Sequence, residues 1–141
     1  MRLSELMQLI RTAFEAVPYV NSFYEGDVYE TWNNKEVKYT SADVALETIE
    51  TAENVKSYSF IIYVADRLLE DASNATQCWD SSEVAINSAL NRIENLGNID
   101  ILSIETSKTF TPFSQKFADN VAGVYVRVKI NIKNDLNLCN E

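Results

Sequence analysis

The chain has 141 residues, of which 46% are hydrophobic, and it carries a formal net charge of −9. This length and apolar fraction are typical of one globular domain with its own core. The sequence has no histidine, which removes the commonest general base and metal ligand and disfavours catalysis, and its acidic surface should repel nucleic-acid phosphates.

The N-terminal part predicts a helix followed by a strand. Residues 4–16 carry apolar side chains at helical spacing, with Ser4 as the expected N-cap and Pro18 just beyond the end. Residues 19–29 are rich in aromatic and β-branched side chains and are interrupted at Gly26, which predicts a first strand with a turn or bulge.

The next segment predicts a turn and a hairpin. Residues 32–35 have turn composition, and residues 36–49 alternate weakly, as an exposed or edge strand would. Residues 51–56 are expected at the hairpin tip, and residues 57–68 predict a strong central strand. The side chains expected on one face of that strand are Tyr58, Phe60, Ile62 and Val64.

A second helix is predicted over residues 80–96. Asp80 to Glu83 has the character of a capping box, and Gly97 stands where a helix-terminating glycine belongs. The apolar side chains at helical spacing are Val84, Ile86, Ala89, Leu90, Ile93 and Leu96.

Two less regular segments follow. Residues 100–105 predict a short strand with Leu102 and Ile104 pointing inward. Residues 106–121 are too aromatic for a solvated linker, and we expect a loop that folds over the core or forms a contact surface. Its phenylalanines, predicted to contribute to a subunit or partner contact, are Phe110, Phe113 and Phe117.

The clearest pattern is the strand predicted over residues 123–132, where β-branched and polar side chains alternate strictly. We expect its apolar face to meet Phe60, Ile62, Leu90 and Ile93. The order of elements predicts an α+β fold, an antiparallel or mixed β-sheet covered on one face by two α-helices. Residues 1–133 would form this single domain, and residues 134–141 a polar tail.

Two groups of polar residues are considered as a catalytic or a metal-binding site. Asp66 and Arg67 could hold a carboxylate for acid–base work, but a structural or intersubunit ion pair is the favoured interpretation. Glu70, Asp71 and Asn74 could offer oxygens to calcium, yet they lack the calcium-loop pattern, which favours a solvated connection.

The last strand and the glycine content bear on two possible binding sites, one for nucleic acid and one for phosphate. Arg127 and Lys129, with Tyr125, could bind single-stranded nucleic acid, although an ordinary exposed face or a site for an acidic partner is favoured. Only three glycines are present, so a glycine-rich phosphate loop is not expected, and the sequence predicts neither cofactor nor metal.

The thiols and the hydropathy pattern bear on the compartment. Cys78 and Cys139 are far apart and outside any C-x-x-C pair, so both are interpreted as free thiols. No window approaches the roughly 18 apolar residues of a membrane span, and the N-terminus lacks the apolar run of a signal peptide. We expect a protein that stays in the cytoplasm where it is made.

The order of elements resembles one known family. A leading helix, strands, a strand ending Y-V-A-D-R-L at residues 63–68, a capped helix, an aromatic loop and a long last strand after Ala122-Gly123 resemble the tail-terminator or tail-completion fold of tailed bacteriophages. The similarity spans residues 4–133 and is greatest to the small neck-ring proteins of crAss-like phages.

The resemblance implies a virion structural protein without enzymatic activity. It would form a homo-oligomeric ring at the head–tail junction, against portal or adaptor and tail or neck proteins, and DNA would pass through without specific binding. In such a ring we expect the acidic residues Glu47, Glu50 and Glu53 to line the channel or its rim. A small cytoplasmic interaction or adaptor module is the alternative, and an enzyme is a third.

Overall fold

The structure, a computed structural model, describes residues 1–33, 36–96, 98–106, 109–117 and 119–134. Within this part of the chain the helices are α1 (Leu3–Glu15), α2 (Val28–Thr31) and α3 (Ala75–Asn95). The strands are β1 (Ser22–Glu25), β2 (Ser41–Thr51), β3 (Val55–Arg67), β4 (Ile101–Thr106), β5 (Thr111–Lys116) and β6 (Asn120–Lys133). Among the described helices, none has the length and apolar character needed to cross a membrane.

The strands form one six-stranded mixed sheet in the order β1-β2-β3-β6-β4, and β5 also pairs with β6. The β1–β2 pair is parallel, and the other pairs are antiparallel. Helices α1 and α3 pack against one face, which confirms the predicted α+β class.

The sheet has two ends with different neighbours. At the end where a turn joins β2 to β3, which we call the hairpin end, the strands β2, β3, β6 and β4 lie side by side. Thr48 aligns there with Ser59, Ser59 with Lys129, and Lys129 with Glu105. At the opposite end, β1 flanks β2, and β5 takes the place of β4 beside β6.

The main core lies between the sheet and helices α1 and α3. The predicted apolar face of β6 is confirmed, because its even-numbered residues from 124 to 132 are all at most 4% exposed. Phe60, Ile62, Leu90 and Ile93 belong to the same buried cluster, as predicted. The helices contribute buried side chains from both α1 and α3, namely Leu6, Ile10, Ala13, Phe14, Ala85, Ile86 and Ala89.

A second, smaller core lies on the opposite face of the sheet, beneath the short helix α2. We call this side of the sheet the α2 face. The buried members of the second core are Val28, Trp32, Val37, Ala65, Phe117 and Val121. The sheet is therefore covered on both faces at the end where β1 and β5 lie.

The prediction for the start of the second helix was wrong. Helix α3 begins at Ala75 rather than Asp80, so the polar residues interpreted as a cap lie within the helix and Ser82 is buried. Asn74 precedes the helix, where its side chain accepts from the backbone N–H of Leu69 and donates to the carbonyl of Arg67. The expected terminating residue, Gly97, lies outside the described residues.

The N-terminal boundaries also differ. The first helix has Arg2 as its N-cap and contains Ser4. The predicted strand over residues 19–29 is limited to β1, because Asp27 caps α2 by accepting from the N–H of Tyr29 at 2.8 Å.

The weakly alternating segment is not an edge strand along its whole length. From Ser41 to Val44, β2 lies between β1 and β3, and all four residues are buried. The alternation was weak because this half of the strand is covered on both faces. Beyond Val44 the outer side of β2 has no strand partner among the described residues.

Two predictions near the C-terminal third were wrong. The aromatic segment contains the strand β5 rather than only a loop. Leu102 is 48% exposed rather than inward, because the β4–β6 register shifts between Ile101 and Ser103, and Ile101 packs on the core instead.

The orientation of β6 can be tested with Val128→Asp. Val128 is 2% exposed, so an unpaired carboxylate there should lower the free energy of unfolding by about 3 kcal/mol or more. Lys129→Gln on the opposite face is the control and should cost about 1 kcal/mol or less, because it loses only an exposed ion pair. Chemical denaturation compares the two, and equal stability of the two variants would contradict this orientation.

Candidate interaction surface

The α2 face of the sheet has two parts with different chemistry. The aromatic cluster lies at the end of the sheet where β1 and β5 are found, which we call the α2 end. It consists of Trp32, Tyr39, Tyr63, Phe113, Phe117 and Tyr125. The charged patch, at the hairpin end, consists of Glu47, Glu50, Glu105, Arg127 and Lys129.

Trp32 is the centre of the aromatic cluster and is completely buried. Its ring centroid lies 5.5 Å from that of Phe117, in an edge contact, and 6.3 Å from that of Phe113, in a stacked contact. Its indole N–H donates to Ser41 Oγ at 3.1 Å, which satisfies the polar atom inside the core. The sequence placed Trp32 in a turn and gave no sign of this role.

The three phenylalanines predicted to form one contact surface lie in two places. Phe110 packs against the main core, whereas Phe113 and Phe117 join the second core. The backbone carbonyl of Phe113 also accepts from the indole N–H of Trp79 on α3 at 3.0 Å. Phe113 and Phe117 therefore have apolar partners within their own chain, and their part in a subunit or partner contact stays a prediction.

Asp66 and Arg67 do not form an ion pair with each other. Asp66 Oδ1 accepts from the backbone N–H of Arg67 at 2.8 Å. The Arg67 guanidinium instead lies 3.3 Å from Asp119 Oδ2 and 5.8 Å from the ring centroid of Tyr39. These contacts fix the end of β3 to the turn between β5 and β6.

The basic side chains of β6 are matched by carboxylates of β2 across the intervening strand β3. Arg127 Nε lies 3.1 Å from Glu47 Oε1, and Lys129 Nζ lies 3.7 Å from Glu50 Oε2. On the other side of β6, Glu105 Oε2 accepts from Asn131 Nδ2 at 2.8 Å. The charged patch is therefore a row of alternating charge, with Glu53 exposed at the adjoining turn.

Asp43 is a buried carboxylate between the aromatic cluster and α2. Thr31 Oγ1 donates to its Oδ2 at 2.6 Å, while its Oδ1 has no hydrogen-bond partner among the described residues. The pKa of Asp43 is raised from 3.8 to about 6, mainly by burial and also by the nearby Asp27, whereas the hydrogen bond from Thr31 lowers it. No sequence pattern indicated that this acid would be buried.

The side-chain oxygens of Asp71 and Asn74, considered above as calcium ligands, bond to the backbone instead, and Cys78 is a free thiol as predicted. Asp71 Oδ1 accepts from the N–H of Ser73, and the oxygen of Asn74 is used at the start of α3. Cys78 is a buried free thiol whose pKa is raised by burial and by Asp66. Across the described ranges, no group of three or more His, Cys, Asp or Glu side chains could hold a metal ion, and Cys139 lies outside those ranges.

Comparison with models of known protein families and with curated proteins gives no match for this sequence.

The raised pKa of Asp43 makes a pH-dependent prediction. Unfolded Asp43 ionises near pH 3.8 and folded Asp43 near pH 6, so its contribution to stability falls as the pH rises through this window. Asp43→Asn removes the buried charge and should raise the free energy of unfolding at pH 8 by about 1 to 2 kcal/mol. At pH 4 the variant and the natural protein should be nearly equal.

Thr31→Val is the matched variant for this test. It removes the donor to the Asp43 carboxylate, so it should destabilise the protein more at pH 8 than at pH 4. Thermal unfolding at the two pH values measures both effects. An equal effect of Asp43→Asn at both values would show that Asp43 does not titrate in this way.

Proposed function

We propose that the protein is a non-enzymatic virion structural protein that assembles into a ring at the head–tail junction of a tailed bacteriophage. The resemblance in element order supports this proposal, and the sheet with two covering helices agrees with the fold that the resemblance implies. The ring would lie between portal or adaptor proteins and tail or neck proteins. Its wall would form part of the channel for DNA.

The observation that carries the proposal is the charge arrangement on the α2 face. Arg127 and Lys129, the basic side chains that could hold phosphates, face Glu47 and Glu50 at ion-pair distances. Exposed pairs of this kind add little stability, since their net contribution is typically about 0 to 1 kcal/mol. Their effect here is to offset the positive potential of β6.

A channel wall must let DNA slide without holding it. Phosphate binding depends on basic side chains that displace counterions, and a chain with a net charge of −9 opposes such binding. At physiological salt the Debye length is about 8 Å, so the repulsion acts close to the wall and leaves the centre of a wider channel unaffected.

Native mass spectrometry of the purified protein tests assembly. A discrete high-order oligomer, seen as a ring by electron microscopy, would support the proposal. A monomer at every concentration, alone and with portal and tail proteins, would contradict it and favour the adaptor-module alternative.

A charge-reversal variant tests the channel role. Changing Glu47, Glu50 and Glu53 to lysine leaves Arg127 and Lys129 without their carboxylate partners and adds positive charge beside them. We expect this variant to bind double-stranded DNA at low salt and to lose that binding by at least tenfold at physiological salt. Fluorescence anisotropy with labelled DNA measures the change.

A triple change to glutamine at the same positions is the control, since it removes the acids without adding positive charge. It should bind DNA less than the lysine variant. If lysine-variant oligomers assemble and still ignore DNA at low salt, the charged patch does not face the channel.

A further inference from the structure

The hairpin end of the sheet has two uncovered edges. Beyond Val44, β2 continues to Thr51 with β3 on one side and no strand on the other among the described residues. Across the sheet, β4 pairs with β6 on one side and has no strand on its other side within the described part of the chain. Each edge therefore presents a row of backbone N–H and C=O groups that another strand can pair with.

The two edges are similar in length and lie at the same position along the strand direction. The free part of β2 runs over residues 45–51 and β4 over residues 101–106, so each offers about 20 Å of strand. Both lie beside the same stretch of the central β3–β6 pair, near Ser59 and Lys129. Placing a second copy beside the first would bring one edge directly against the other.

The strand directions are also compatible. In the sheet, β2 and β6 run one way, while β3 and β4 run the opposite way. A rotation about an axis along the strands keeps these directions. The β4 strand of one copy would then meet the β2 strand of the next in antiparallel orientation, the more stable pairing.

Exposed apolar side chains accompany both edges. Ile49 on β2 is 52% exposed, although its neighbour across the pair, Tyr58, is buried. At the other edge, Leu102 is 48% exposed, and the nearby Ile99 and Leu96 are 78% and 55% exposed. Joining the edges would remove part of this apolar surface from water.

The edges at the other end of the sheet are less suited to pairing. Strand β1 has only four residues, and β5 contains Pro112, which lacks a backbone N–H. Proline and short length are devices that protect an edge from pairing. The hairpin end has neither of these, and its edges carry one register shift each, between Leu46 and Thr48 in β2 and between Ile101 and Ser103 in β4.

We propose that the free edge of β2 in one copy pairs antiparallel with β4 of the next copy, giving a continuous intersubunit sheet. The two surfaces are different, so the contact is head-to-tail, and repetition closes a ring when the rotation allows it. This inference rests on the proposed ring function and names the surfaces that build it. The charged patches of successive copies would then form one continuous band.

Two variants place a charge at one edge each. Ile49→Lys blocks the β2 edge and leaves β4 free, whereas Leu102→Lys blocks β4 and leaves the β2 edge free. Both side chains are about half exposed, so the variants should fold, which circular dichroism and thermal unfolding check. Val84→Lys, at a 46% exposed position on α3, is the control and should assemble like the natural protein.

The expected result is a complementation pattern in native mass spectrometry. Each edge variant alone should be monomeric, and an equal mixture should give a one-to-one heterodimer and nothing larger, because each partner contributes one intact edge. Both edges carry glutamates, Glu50 and Glu105, whose mutual repulsion would oppose the contact. The measurements are therefore made at about 0.15 M and about 1 M salt, because the higher concentration screens this repulsion. The Debye length falls from about 8 Å to about 3 Å between these conditions.

The other outcomes separate this inference from the proposed function. If both edge variants still form rings, the edge pairing is wrong while the ring function stands. If each variant is monomeric and the mixture gives no heterodimer at either salt concentration, head-to-tail pairing is overturned. If the natural protein itself never assembles, the proposed function and this inference both fail.

Discussion

The antiparallel pairing of β3 with β6 is the constraint on which the rest of the structure depends. It runs without a register shift from Val55 opposite Lys133 to Arg67 opposite Val121. Within it, Gly123 lies opposite Ala65, and a Cβ atom at Gly123 would stand 1.9 Å from the carbonyl oxygen of Val64. Only glycine permits this approach of the two backbones.

This pairing places two alternating sequences in phase and so creates two faces with different roles. Phe60 aligns with Val128 and Ile62 with Val126, which gives the main core a continuous apolar floor for α1 and α3. On the reverse side, the same register brings Tyr63 opposite Tyr125, with ring centroids 5.2 Å apart. A shift by one residue would exchange the faces and expose the apolar floor.

The sequence predicted the main core because period-2 and helical patterns are local. Strict alternation in residues 124–132 and helical spacing around Leu90 identified buried faces, and the structure confirms them except at Val84 and Leu96, which are 46% and 55% exposed. The second core was not predictable in this way. It joins Val28, Trp32 and Val37 to Phe117, and α2 has only four residues, which is too short for a helical period to appear.

Strand β5 was missed for a related reason. Pro112 argues against a strand interior, but β5 pairs on one side with β6, and an edge position tolerates a residue without an N–H. The ion pairs of the charged patch were also not predictable from the sequence. Glu47 and Arg127 are 80 residues apart and meet only because β3 separates their strands in register.

Stability and the proposed contacts are concentrated at opposite ends of the sheet. At the α2 end, two cores cover both faces, and Trp32 fixes the aromatic cluster around Ser41. At the hairpin end, the α2 face carries exposed ion pairs in place of a core. The outer edges of β2 and β4, on opposite sides of the sheet, are without strand partners there among the described residues. A side-chain change at those edges therefore disturbs few buried contacts, so association can be altered there while the fold is held by the other end.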